Sequence, residues 1–359
     1  MPQLPAPRGE ISELLITSLV GSPRLLPAGS LIVSEDPLID EDLQLGLYIC
    51  YELHYRGFAG VDERWEWEPS LLHVRRQLEQ CFEAGLQAAV EPREKSSVAA
   101  EEMDLALRQI AAADGGPELS RHIQRSASTE QVLEFVIHRS AYQLKEADPH
   151  SWAIPRLWGG PKSALVEIQA DEYGGGCADR AHAHLFAETM QELGLDPAYG
   201  AYLNRIPGST LATVNLISLL GLHRRLRGAV AGHLALFEMT SSVPNRRYAQ
   251  GLRRLGFGPR ATGFFDEHVI ADAVHENIAA VELAGGLARQ DPALTGDILW
   301  GARAVVEVEG GWGRGLLDAW SEHRSSLLPG PETFGRVDPP GDSVYLAADT
   351  RRGAEPSRR

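Results

Sequence analysis

Three side chains suited to binding a metal recur at helical spacing in the stretch Phe264-Phe265-Asp266-Glu267-His268-Val269-Ile270-Ala271-Asp272-Ala273-Val274-His275. Read as a helix, it places His268, Asp272 and His275 at positions i, i+4 and i+7. At about 100° per residue these three lie within roughly 60° of one another. Burying two imidazoles and a carboxylate together without partners costs free energy, whereas a divalent cation satisfies all three at once. The plainer alternative is a solvated helix face, and Asp266 and Glu267 do read as solvated. Phe264, Ala271 and Ala279 share part of the triplet's face, however, so the spacing predicts an inward-facing helix that supplies half of a metal site.

The rest of the chain reads as helical too. No sustained period-2 apolar pattern rich in Val, Ile and Thr occurs, and the fold class is therefore all-α. Residues 1–35 are Pro-rich and irregular. Two helices joined by a turn at 57–64 account for the region from Asp36 to about Val90. Residues 91–103 read as a surface loop or linker. Helices are expected at about 129–147, closed by Asp148-Pro149, and at 161–173 and 178–192. They are expected again at 211–226, 226–240, 262–283, 297–309 and 315–325. Gly174-Gly175-Gly176 reads as a break between helices, because no Lys-Ser/Thr follows to make a phosphate loop. Pro244, Gly256, Gly258 and Pro259 read as punctuation, and the last residues from Arg351 as a frayed tail.

The chain has 359 residues, of which 43% are hydrophobic, enough for a substantial core. A net charge of −15 argues against a nucleic-acid or anionic-membrane partner, since phosphate binding draws on a basic surface. It fits a soluble cytoplasmic protein. Cys50, Cys81 and Cys177 are too few and too scattered for a disulfide framework or a CxxC metal site, and read as reduced thiols. Residues 1–29 lack the features of a signal peptide, and no apolar run approaches the roughly 18 residues that span a bilayer. GxGxxG, Walker, GxSxG and HExxH motifs are absent, which removes nucleotide-dependent, serine-hydrolase and simple zinc-protease chemistry as first choices.

Partners for the triplet are sought among acids and histidines in apolar surroundings. Glu238 follows the apolar run Leu234-Ala235-Leu236-Phe237, and a buried carboxylate there needs a partner. The alternative for Glu238 is a salt bridge to Arg224, Arg225 or Arg246. Glu172 ends the helix of Glu167-Ile168-Gln169-Ala170-Asp171-Glu172-Tyr173, His182 follows it, and Glu146 closes the preceding helix. His184, two residues beyond His182, falls on nearly the opposite side of its helix. His54 is too close in sequence to Glu52 to chelate with it, and His233 sits on another face from Glu238. His184 reads as a surface residue or one that backs the ligands, His54 as structural, and His233 as an ordinary core or interface histidine.

In the order Glu172, His182, Glu238 and the His268/Asp272/His275 triplet, with the phrase Glu-Ile-Gln-Ala-Asp-Glu-Tyr-Gly-Gly-Gly, residues 130–325 resemble the heme-oxygenase-like diiron oxidases. The resemblance implies a heme-oxygenase-like helical bundle at 126–325 that binds two Fe(II) ions in place of heme. An N-terminal helical extension (1–125) then packs on this core, and a C-terminal tail covers 326–359. The implied ligands are Glu172, His182, Glu238, His268, Asp272 and His275. Glu146 matches the extra carboxylate of members that oxygenate nitrogen. Glu146, Glu172, Glu238 and Asp272 would balance the four positive charges of two Fe(II) ions.

The implied function is an O2-dependent N-oxygenase acting on an amine- or guanidine-type small molecule. Glu238 and Glu172 are its catalytic carboxylates, with Glu238 as the bridging or flexible one. C–C cleavage or desaturation of a fatty or amino acid is the alternative within the family. A heme-binding or non-catalytic scaffold is the alternative outside it. An external electron donor and a homodimer complete the expectation.

Overall fold

A computed structural model describes residues 1–27, 34–90, 98–113 and 115–330. Residues 331–359 of the expected 326–359 tail and residues 91–97 of the expected linker lie outside the described residues. Among the described residues fourteen α-helices follow in order: α1 (Glu10–Leu19), α2 (Glu41–Glu52), α3 (Pro69–Ala89), α4 (Met103–Ala113), α5 (Leu119–Arg125), α6 (Thr129–Gln143) and α7 (Asp148–Ser151). Then come α8 (Gly159–Glu172), α9 (His182–Glu192), α10 (Gly208–Leu222), α11 (Arg227–Arg254), α12 (Pro259–Asn277), α13 (Gly285–Gln290) and α14 (Thr295–Ser321). No strand occurs among the described residues, and none of their helices is long and apolar enough to cross a membrane.

Helix α11 runs through the middle of the bundle, against α12 on one side and α14 on the other. Its crossing with α14 is backbone against backbone: a Cβ at Gly232 would lie 1.8 Å from the Ile298 carbonyl oxygen, and one at Gly301 would lie 2.0 Å from that of Ala229. Helix α10 is buried along nearly its whole length. It is covered by α2, where Asn215 Nδ2 donates at 2.8 Å to both the carbonyl and the side-chain oxygen of Gln44. The residues before 126 that the structure describes are thereby packed onto the same core as those after it.

Several boundaries differ from the sequence reading, each for a tertiary reason. The supposedly irregular N-terminal region contains α1. Its first amides, those of Ile11 and Ser12, donate to the Asp42 carboxylate of α2 at 2.7 and 2.8 Å, a cap supplied from another helix. Helices α4 and α5 were not among the expected elements; they bury Met103 and Leu107, and Leu119 and Ile123. Pro244 lies inside α11, and the packing of the whole helix against α12 and α14 outweighs the one lost backbone hydrogen bond. Helix α14 continues through Gly310-Gly311 without a break. There the Arg314 guanidinium covers Gly310, and Pro117 packs over Gly313. Past Asn277 the α12 helix widens into a π segment, Ile278–Ala284, which begins three residues beyond His275.

Candidate metal centre

All seven sequence-predicted site residues are buried and converge between α6, α8, α9, α11 and α12. His268, Asp272 and His275 share the inward face of α12, as their spacing required. Glu172 comes from the last turn of α8, His182 from the first of α9 and Glu238 from mid-α11. Glu146 belongs to a turn just beyond α6 rather than to its last helical turn. The Asp148-Pro149 pair does not end a helix but starts the short α7, Pro149 taking a first-turn position where a missing N–H costs nothing.

Two groups of ligand atoms form within this cluster. Glu146, Glu172, His182 and His268 make one, and Glu172, Glu238 and His275 the other; in each, the atoms lie within 4.8 Å of one another. Glu172 is common to both. The sequence reading gave the shared position to Glu238, but Glu238 belongs to the second group alone. The reason is placement: the C-terminal end of α8 enters between His182 and the α12 histidines. Asp272 is in neither group; its Oδ2 accepts a hydrogen bond from Ser241 Oγ at 2.7 Å. It still lines the void at the centre of the cluster.

The histidines are oriented by partners on their outer sides. His268 donates Nδ1–H to the Phe264 carbonyl at 2.8 Å, which leaves Nε2 facing Glu146 Oε1 at 3.4 Å. His275 donates Nε2–H to Asp171 Oδ2 at 3.0 Å, which leaves Nδ1 facing Glu238 Oε2 at 3.4 Å. His182 Nδ1 lies 2.9 Å from Glu172 Oε2, in a direction that makes no hydrogen bond. Glu146 Oε2, Glu172 Oε2, His182 Nδ1 and His275 Nδ1 are all buried without a hydrogen-bond partner. Four orphaned ligand atoms in one cluster are costly unless a cation completes them, so the donor set fits a metal.

The electrostatics point the same way. Burial pushes the Glu238 carboxyl up to about 7, helped by the charges of Glu172 and Asp272. Burial likewise raises Glu146 and Asp272. Burial opposes charge on His275, yet Glu238 and Asp171 beside it outweigh this and lift it to about 9. His268 and His182 are raised against burial by Glu146 and Glu172, respectively. In the absence of metal, protons take the place of a cation among these carboxylates.

The void inside the cluster measures about 30 Å³ and is lined by Glu146, Glu172, Glu238, His268 and Asp272 among others. A neighbouring cavity of about 270 Å³ shares Glu146, Phe237, Ser241 and His268 with it. Phe135, Phe186 and Phe265 supply apolar wall. Arg139 and Glu309, paired at 3.1 and 2.8 Å, supply polar wall, with the guanidinium 3.9 Å over the Trp312 ring.

Asp171 and Ser241 escaped the sequence reading. Ser241 lies three residues after Glu238, a helical spacing that would have indicated it; Asp171 has an exposed side chain, and nothing local distinguishes it from a solvated acid. His184 is exposed, while His233 is buried with its Nδ1 3.2 Å from His150 Nε2. His54 is held by Glu66 at 3.0 Å. Glu238 makes no ion pair with Arg224, Arg225 or Arg246 among the described residues; Arg225 pairs with Glu83 at 2.6 Å. The cysteines are free thiols.

Nitrosourea synthase from Streptomyces achromogenes subsp. streptozoticus is 29% identical over 184 residues, which are 50% of this chain and 39% of that protein, so the chain spans well under half of its length. Two crystal structures of a CADD-like protein of unknown function from Nostoc punctiforme PCC 73102 superpose with TM-scores of 0.49 and 0.47. Their identities are 20% and 19%, and they cover 60% and 62% of this chain and 97% of that one. The family described as iron-containing redox enzymes matches residues 133–310, the span that holds all seven converging side chains. Through that span this chain belongs to the iron-containing redox enzyme family.

Proposed function

We propose that this chain is a non-heme diiron oxygenase that uses O2 to oxygenate an amine- or guanidine-type nitrogen of a small molecule. The observation that carries this reading is Glu172, whose carboxylate belongs to both groups of ligand atoms and can serve two cations at once. Glu146, Glu172, His182 and His268 would hold one iron; Glu172, Glu238 and His275 would hold the other, with Asp272 at hand in the same void. Three imidazoles with carboxylates form an N/O set of the kind that Fe(II) accepts. A void of about 30 Å³ suits ions and leaves no room for a porphyrin, which disfavours the heme-binding alternative.

When bound, the metal pair supplies the two-electron chemistry with O2. The balance for a primary amine is RNH2 + O2 + 2e⁻ + 2H⁺ → RNHOH + H2O, so an external electron donor is required. The adjoining cavity would take the substrate, since Glu146 and His268 form its wall on the metal side. Phe186, Phe237 and Phe265 keep water from that end, and the Arg139–Glu309 pair closes the polar wall. The nitrosourea product named for the related synthase contains oxidised nitrogen, which supports nitrogen as the target here.

Anaerobic Fe(II) titration followed by exposure to O2 with candidate amines and guanidines tests the reading. Two irons per chain and a hydroxylated-nitrogen product are expected. One iron or none, or O2 consumption that yields only carbon-oxidised products, would sink it.

A further inference from the structure

Among the clustered carboxylates, Glu146 alone is not carried by a helix; it sits in the turn at 144–147. Residues on both sides of it are fastened from elsewhere. Arg56, in the turn that follows α2, donates Nη2 to the Leu144 carbonyl at 3.0 Å. Lys145, 2% exposed, donates Nζ to Glu52 Oε2 of α2 at 2.9 Å and lies 4.2 Å over the Tyr55 ring. Gln169 of α8 donates Nε2 to the Ala147 carbonyl at 2.7 Å. Glu52 also accepts from the Tyr199 hydroxyl at 2.6 Å and from the Arg56 amide at 3.3 Å, and the Arg56 guanidinium stacks 4.2 Å over the Tyr199 ring.

This arrangement has a clear physical use. The Ala147 carbonyl also accepts the Ser151 amide of α7 at 3.3 Å, so Arg56 on the Leu144 carbonyl and Lys145 on Glu52 are what tie the turn to the N-terminal helices. A turn between helices is free to shift unless such donors hold it. A misplacement of about 0.5 Å is enough to spoil a ligand geometry. A buried, hydrogen-bonded ion pair such as Glu52–Lys145 contributes little net stability but fixes one arrangement of the groups around it. Glu52 and Arg56 both lie before residue 133, outside the span that the family match covers.

We infer that Glu52 and Arg56 are positioning residues for Glu146, so that the N-terminal helices complete the metal centre from outside the family core. The inference rests on Glu146 being an iron ligand. Without the brace the turn keeps its sequence but loses the fixed direction of its carboxylate.

Glu52→Gln strands the buried Lys145 ammonium and carries the greater folding risk, so Arg56→Ala is the main variant. Amide exchange on the metal-free chain should speed up at least about tenfold at 144–148 in Arg56→Ala, with α12 unchanged. Fe(II) affinity should fall about 10- to 100-fold, the usual effect of losing an outer-shell support. In a Glu146→Ala background, adding Arg56→Ala should change Fe(II) affinity less than about twofold, because the effect passes through Glu146.

Unchanged exchange overturns the inference, as does faster exchange with unchanged affinity. An equal further loss of affinity in the Glu146→Ala background also overturns it, by exposing a general structural role. Fewer than two irons in the unsubstituted protein would instead count against the diiron reading, and the brace would then be judged by exchange alone.

Discussion

The Nε2–H of His275 donates to the Asp171 carboxylate at 3.0 Å, and that bond settles which ring nitrogen His275 has left to offer. The remaining nitrogen, Nδ1, is buried without a partner and faces Glu238. Removing the support in Asp171→Ala should free the ring to rotate and weaken the Glu172/Glu238/His275 group selectively. About a 10- to 100-fold loss in affinity for the second Fe(II) ion is expected, with the first unaffected, measured by anaerobic competition with a chromophoric chelator. Equal loss at both ions would contradict this role.

Glu172→Ala and Glu238→Ala should differ in iron content. Glu172 belongs to both groups of ligand atoms and Glu238 to one. Metal analysis after anaerobic loading should therefore find Glu172→Ala nearly empty and Glu238→Ala holding about one ion per chain. The reverse order would restore Glu238 to the shared position that the sequence reading gave it.

Acid should drive metal off, and alkali should weaken the metal-free chain. Glu238 is raised from 4.5 to about 7 and His275 from 6.5 to about 9, so the folded metal-free state binds more protons than the unfolded one over these windows. Its stability is thus fullest at low pH in respect of these groups, and is lost as pH rises through about 7 and then about 9. Calorimetry should show the melting temperature of the metal-free protein falling between pH 6.5 and 9 while the iron-loaded protein holds. Iron addition near pH 7 should release protons in a pH-stat.

The α11–α14 crossing should not tolerate a methyl group. Gly232→Ala places Cβ 1.8 Å from the Ile298 carbonyl oxygen, so the helices must separate, at a cost of about 1–3 kcal/mol or more. Gly263→Ala in α12 meets nothing within 4 Å and should be neutral or slightly stabilising, since Gly in a helix interior costs up to about 1 kcal/mol relative to Ala. Paired urea denaturation curves compare the two. A Gly232→Ala midpoint equal to that of the unsubstituted protein would show that the crossing can slide.

What the sequence determined by itself was mostly local. The spacing of His268, Asp272 and His275 puts them on one face because helical geometry depends on neighbouring residues alone, and the absence of period-2 patterning likewise decided an all-α fold. Glu172, His182 and Glu238 were legible only through the ordered resemblance, since nothing near each of them marks it as a ligand. The tertiary structure decided the rest. Helix α1 is capped by Asp42 some thirty residues away, Pro244 stays within α11, a helix that α12 and α14 hold along its length, and Gly310-Gly311 continue a helix that Arg314 and Pro117 cover. That Glu172 is the carboxylate shared by both groups follows from where the end of α8 meets α9 and α12. Likewise, Asp171, far from α12 in sequence, selects the free nitrogen of His275. Such relations depend on how helices cross, and a helix crossing is fixed by the packing of many residues at once, which no single stretch of sequence contains.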